Sequence, residues 1–391
     1  MTELFVGLMS GTSLDGVDGV LVDFTGFSAE SGGTKRHAPS PGGAPLSAMK
    51  VLAHAHHPFP TPLRDELLAL NTSAGPNELH RSQVAGNGLA RLYAEVVADL
   101  LTQSQMDPAK VAAIGAHGQT VRHLPRINGQ PGYTVQVNNP SLLAELTGIS
   151  VVADFRSRDV AAGGEGAPLV PAFHRALFGR AGEATAVLNL GGISNLTVLL
   201  SDGQTRGFDC GPANVLMDHW TEQHLGRPYD AQGVWAASGQ VQPRLLDLFM
   251  AEPYFSQPPP KSTGRDLFNP TWLAAKLEQF GSNLRADDIQ ATLCELTVLT
   301  CANAVLAYAP TAHKLLVCGG GALNRHLLQR LAQHLPRVAV QPTDTRGLPA
   351  MQVEATAFAW LAYAHLQHQT GNLSAVTGAA GPRVLGGLYP A

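Results

Sequence analysis

Charge is scarce in this chain, at 14% of residues, and neither sign dominates, since 26 Lys and Arg stand against 30 Asp and Glu. A net charge of −4 provides no basic face able to neutralise a nucleic-acid backbone, so nucleic acid is not expected as a partner. Cysteine is scarce too. Cys210, Cys294, Cys301 and Cys318 show no C-x-x-C pair or other metal-ligand spacing, which excludes a disulfide scaffold and predicts a reducing, cytoplasmic setting. No apolar run approaches the roughly 18 uninterrupted residues of a membrane span. The opening MTELFVGLMSGTSLDG breaks at glycine with no basic segment ahead of it, so neither a signal peptide nor a membrane anchor is expected. Two further motifs are missing. Gly11-x4-Gly16 is followed by Val17-Asp18 where a Walker A loop needs Lys and Ser/Thr, and no G-x-G-x-x-G opens the chain, which argues against dinucleotide binding.

What remains is a globular composition, 45% hydrophobic over 391 residues. That length predicts two domains with a cleft between them. Apolar runs at 4–9 and 17–24 read as strands joined through glycine, and 25–48, rich in Gly, Ser and Pro, reads as a loose loop. The unit recurs about 180 residues later, with strands at 185–190, 196–200 and 206–208 around Gly191-Gly192, a spacing that suggests duplication. Buried strands at 111–116, 149–153 and 314–318 alternate with helical patterns at 79–103, 284–308 and 354–368. The expected fold is therefore α/β with ligands at strand ends.

Several of those ends carry chemistry. In Gly11-Thr12-Ser13-Leu14-Asp15-Gly16-Val17-Asp18, glycines let backbone N–H groups approach an anion, hydroxyls donate to phosphate, and Asp15 or Asp18 can hold the water shell of Mg2+. An ordinary hairpin turn explains the same residues. Leu190-Gly191-Gly192-Ile193-Ser194-Asn195 repeats this chemistry, and Gly319-Gly320-Gly321 is a third turn that admits a phosphate or a flat ring. Asp209 follows a short strand and precedes a glycine turn, a position that makes it the candidate general base, with capping of the next helix as the alternative. In the stretch 154–166, Arg156 or Arg158 offers a planar fork for an acidic group and Asp159 suits sugar hydroxyls, with an internal Arg–Asp pair as the alternative. His117 and Thr120 in AHGQTVRH suit a sugar or a purely structural role. The loop Lys261–Asp266 is either a substrate contact or solvated, and His54, His56 and His57 read as surface histidines.

Taken in order, MSGTSLDGVD, AHGQTVRH, ADFRSRDVAAGGEGAPLVPAFH, LNLGGISNLT, FDCGPANVLMD, YFSQPPPKSTGRDLFN, VCGGGALN, VEATAFAWLA and VTGAAGPRVLGG resemble the anhydro-N-acetylmuramic acid kinase family along nearly the whole chain. The resemblance implies two duplicated RNase H-like domains of the actin/hexokinase type, flanking a nucleotide and sugar cleft. Their expected extents are 1–150 and 151–370, with 371–391 as a C-terminal tail. ATP and Mg2+ are implied, with 11–18, Gly191, Gly192, Asn195 and 319–321 at the nucleotide and Asp209 as base. Glu354 would join His117, Thr120, Arg156 and Asp159 at the sugar. A homodimer is the family-level expectation. The chain departs from the family's usual strings at Asn138, Glu165, Cys210 and Ala213, which bear on the identity of the sugar. Alternatives are a kinase of this fold acting on another sugar, or an actin-like ATP switch.

Overall fold

The structure is a computed structural model and describes residues 3–11, 14–27, 49–73, 75–281 and 284–391. Thr12, Ser13 and most of the expected 25–48 loop lie outside the described residues. The chain divides into two compact units, Met1–Leu177 with Gln352–Ala391, and Phe178–Met351.

In the first unit, β1 (Leu4–Met9), β2 (Gly16–Asp23) and β3 (Lys50–Pro58) run antiparallel to their neighbours. After a 27-residue helix, Glu78–Ser104, the chain returns as β4 (Val111–Ala116), parallel to β1. A separate hairpin of β5 (Gln119–Ile127) and β6 (Gln130–Val137) precedes β7 (Val151–Ala153), parallel to β4. The second unit repeats the plan. β8 (Thr185–Leu190), β9 (Ile193–Leu199) and β10 (Thr205–Pro212) form an antiparallel meander, and β11 (Lys314–Cys318) and β12 (Ala339–Pro342) add in parallel beyond β8. Finally β13 (Gly387–Tyr389) pairs antiparallel with β7.

The sheet orders are β13-β7-β4-β1-β2-β3 and β10-β9-β8-β11-β12. In each, the first strand is central, the next two extend antiparallel to one side, and two later strands extend parallel to the other. The duplication suggested by the recurring strand-turn-strand unit is thus a repeated topology. It is the RNase H-like arrangement of the actin/hexokinase fold.

Burial explains the strand composition. β1 reads LFVGLM with no polar alternation because both its faces are covered. Leu4, Val6 and Leu8 join a core with Leu89, Tyr93 and Val96 of the helix Glu78–Ser104. Phe5 turns the other way, its ring 5.6 Å from Tyr363 on the helix Val353–Leu366. Gly7 and Gly115 are paired across β1 and β4 beneath that helix. A Cβ on either would overlap a backbone carbonyl oxygen, that of Ala355 or Phe358. Such a close approach requires small residues on both sides, and the helix supplies Ala355, Ala359 and Ala362, all buried.

The domain extents differ from those expected. Residues 151–177 and 352–391 belong to the first unit, because β7 pairs with β4, the helix Val353–Leu366 packs on β1 and β4, and β13 extends the same sheet. The expected tail is therefore a structural return. In the second unit, the helix Ala286–Tyr308 is long and apolar enough to cross a membrane. It is nonetheless buried along its middle, from Ile289 to Val305 at most positions, and is tied to the end of β10 by Thr297, whose hydroxyl donates to the Pro212 carbonyl at 3.0 Å.

Candidate active site

Strand alternation sets Asp209. Its neighbours Phe208 and Cys210 are 1% and 3% exposed and point into the core, so Asp209 faces the other way and is half-buried. A register shift between Asp209 and Gly211 bends β10 there. Gly211, at φ 152°, is required because a Cβ would sit 2.7 Å from the Phe255 ring. The loop after Pro260 then reaches back: Ser262 donates its hydroxyl to Asp209 Oδ2 at 3.1 Å and Thr263 its N–H to the same oxygen at 3.0 Å. Burial pushes the Asp209 carboxyl up to about 6, against the two hydrogen bonds and the Lys261 charge, which pull it down. The result is a carboxylate ionised at neutral pH yet basic enough to take a proton. The first residues of loop Lys261–Asp266 thus cradle Asp209.

Asn195 is the cross-strand partner of Asp209, and Asn189 is the partner of Asn195. These three polar side chains form a row across β8, β9 and β10. Asn189 went unnoticed in the sequence, although it is the one strongly polar residue of TAVLNL.

The glycine turns of this unit come together. Gly191 and Gly192 carbonyls accept N–H bonds from Asn214 and Ala213 at 3.0 and 2.9 Å, and Asn214 Nδ2 donates to Leu190 O and Gly191 O at 2.9 Å each. The turn therefore abuts the start of the helix Asn214–Leu225, an end whose N–H groups favour anions. Gly321 packs against the same turn, where a Cβ would lie 2.5 Å from Leu190 Cβ. Gly319 and Gly321 are thus demanded by packing. Gly191, Gly192 and Gly320 have room around them and are the positions where phosphate can approach backbone.

In the first unit the 11–18 segment divides. Leu14 and Val17 are 4% and 0% exposed and belong to the core. Gly16 is glycine because a Cβ would strike the backbone of His57 and Pro58. Asp15 is exposed and accepts the Gly16 N–H at 3.1 Å, while the Gly11 carbonyl accepts from Gln119 Nε2 at 3.1 Å. Asp18, expected at the phosphates, is instead engaged by β3: His54 Nε2 and His56 Nδ1 lie 3.3 and 3.1 Å from its Oδ1. His57 pairs with Asp99 at 2.7 Å.

A second cluster joins strand ends of this unit. Arg156 donates from Nε and Nη2 to His117 Nε2 at 3.1 and 3.0 Å, and from Nη1 to Gly166 O at 2.8 Å. Burial lowers the guanidinium to about 10, opposed by the charges of Glu354 and Asp159, so it stays cationic. His117, 5% exposed, is held well below its usual range by burial and then by the Arg156 charge. Thr120 accepts from Gln136 Nε2 at 3.1 Å. His123, also missed in the sequence, lies 3.0 Å from the Thr134 hydroxyl and is lowered by burial and by Arg156.

Asp159 overturns its expected role at the sugar. It is 0% exposed, and its carboxylate accepts from Gly166 N, Asn372 Nδ2 and the Thr377 hydroxyl at 2.8, 2.6 and 2.7 Å. It holds the Gly163–Gly166 loop instead of presenting oxygens to a ligand. Glu165 on that loop meets Arg126 of β5 at 2.6 Å, so its charge is compensated locally.

Residues 3–391 match the family model described as anhydro-N-acetylmuramic acid kinase. A protein of that name from Variovorax paradoxus strain S110 is 58% identical over 394 residues, covering 100% of this chain and 99% of that protein. Another from Bordetella pertussis strain Tohama I is 57% identical, covering 100% and 96%. With the repeated topology, a half-buried carboxylate on one unit and an Arg–His cluster on the other already described, the chain belongs to the anhydro-N-acetylmuramic acid kinase family.

Proposed function

We propose that Asp209 is the general base of an ATP-dependent kinase that opens 1,6-anhydro-N-acetylmuramic acid with water and phosphorylates O6. The observation that carries this reading is the bonding of Asp209: among the described residues, both hydrogen bonds to its carboxylate fall on Oδ2, which leaves Oδ1 to take a proton. Oδ1 removes a proton from water as the water oxygen bonds to C1 of the sugar. The C1–O6 bond breaks, and O6 attacks the γ-phosphorus of ATP, expelling ADP. The proton held by Asp209 then passes to solvent, so one sugar, one water and one ATP give N-acetylmuramic acid 6-phosphate, ADP and one proton.

Arg156 supplies a partly buried cation with planar donors, which suits the acid group of an N-acetylmuramic sugar; His117, Thr120 and Glu354 are its companions in sugar binding. Gly191, Gly192 and Gly320, beside a helix N-terminus, suit the ATP phosphates, as does the backbone at Gly11 and Asp15. Among the described residues, no group of three His, Cys, Asp or Glu side chains can hold a metal ion. That donor set fits Mg2+ carried mainly by phosphates and water, with exposed Asp15 holding its water shell. Mg2+ would neutralise charge on the polyphosphate.

The test is ADP release from Mg-ATP with and without 1,6-anhydro-N-acetylmuramic acid, with the product identified by mass. A sugar product heavier by one phosphoryl group (HPO3) and one water supports coupled ring opening and transfer. ADP release indifferent to the sugar overturns it.

A further inference from the structure

We infer that Ser262 and Lys261 are positioning residues that turn Asp209 so that only Oδ1 meets the attacking water; this rests on reading Asp209 as the base. β10 is an edge strand, and the 261–263 loop lies along its open side. Asp209 N donates to Lys261 O at 3.2 Å, and Tyr254 donates its hydroxyl to Asp209 O at 2.8 Å. Lys261 Nζ donates to Tyr254 O and Phe255 O at 3.2 and 3.3 Å, lying 4.6 Å from the Tyr254 ring centroid. The bonds close a ring from Asp209 through Tyr254 and Lys261 back to Asp209. Both main-chain polar groups of the base are thereby fixed, and Ser262 and Thr263 then fix its side chain from one side.

A carboxylate with two rotatable bonds at a strand edge would otherwise present either oxygen. Donors to Oδ2 favour the ionised form and remove that oxygen from competition for the water proton. Among the described residues, the charged and titratable groups that sense Asp209 are Lys261 and Tyr254 from the loop side and Cys210, which lies on the opposite face of its own strand. Lys261 is the cation among them.

The experiment compares pH profiles of kcat/KM for the full chain, Ser262→Ala, Ser262→Thr, Lys261→Met and Asp209→Asn, using Mg-ATP and the anhydro sugar. Ser262→Ala and Lys261→Met are expected to move the acidic limb up by about half to one pH unit and to lower kcat about 5- to 30-fold, with sugar KM little changed. Ser262→Thr restores the limb. Ser262 is exposed, so its two variants decide the matter even where Lys261→Met loses stability. An unmoved acidic limb in Ser262→Ala, with loss confined to KM, overturns the positioning role and makes Ser262 a substrate contact. Near-normal turnover by Asp209→Asn sinks the base itself, a separate outcome.

Discussion

Arg156 directs two donors of its guanidinium, Nε and Nη2, onto one acceptor, Nε2 of His117. An imidazole nitrogen that accepts cannot carry a proton, so His117 is neutral and protonated on Nδ1. The pair thereby keeps the full positive charge of Arg156 while fixing the plane of its fork. Arg156→Lys retains charge but cannot bridge His117 and Gly166 O together. We expect sugar KM to rise about 10- to 100-fold with kcat changed less, read from initial rates at varied sugar.

Asp209→Asn preserves shape and removes the proton acceptor. Turnover should fall by about two to four orders of magnitude while ATP still binds, as followed by ADP release and nucleotide titration. In the unaltered protein, kcat/KM should fall on the acidic side with a midpoint near the Asp209 value of about 6. Full activity well below that pH would remove Asp209 from the mechanism.

His174, completely buried, is lowered to about 3 by burial. Its unfolded form titrates near 6.5, so below that pH the unfolded chain binds a proton that the native one refuses. Stability linked to His174 is therefore intact above about 6.5 and declines as pH falls toward 3, and His117 acts in the same direction. Asp209 acts oppositely, because its raised value costs stability at neutral pH and returns it as pH falls through about 6. Urea unfolding at pH 7 and pH 5 should show the His174→Leu variant losing less stability over that interval than the unaltered chain, by up to about 2 kcal/mol. Equal losses would show that His174 does not carry the effect.

Asp159→Asn should reduce stability by about 2 to 4 kcal/mol, because an amide would face three donors with one acceptor oxygen. Thermal melts would show this directly. With the protein still folded, the variant should retain ATP binding. An unchanged melting temperature would contradict the structural role assigned to this carboxylate.

Strand ends were legible because local chemistry announces them: an apolar run that stops at Gly191 or at His117 leaves little choice of where a ligand-facing residue falls. The copied strand order also followed from the recurrence of one strand-turn-strand unit. What spacing could not reveal is which carboxylate is already taken. Asp159 is satisfied by Asn372 and Thr377, more than 200 positions later, and Asp18 by histidines on a strand beyond a long connection. Nothing near either aspartate in sequence distinguishes it from Asp209. The role of Ser262 was hidden for the same reason, since it stands 53 positions after Asp209 and meets it only when the chain folds back.

The return of residues 352–391 to the first unit has a consequence for the order in which the molecule is made. Residues 178–351 are contiguous and contain every strand of their sheet, so they can close their core while the ribosome is still adding the remainder. The first unit waits. Its sheet lacks the covering helix Val353–Leu366 and the strand β13, and Asp159 lacks Asn372 and Thr377, until those later residues have been made. The unit begun before residue 178 is thus completed after the one that follows it, and a chain stopped ahead of residue 353 would leave that earlier unit without its cover.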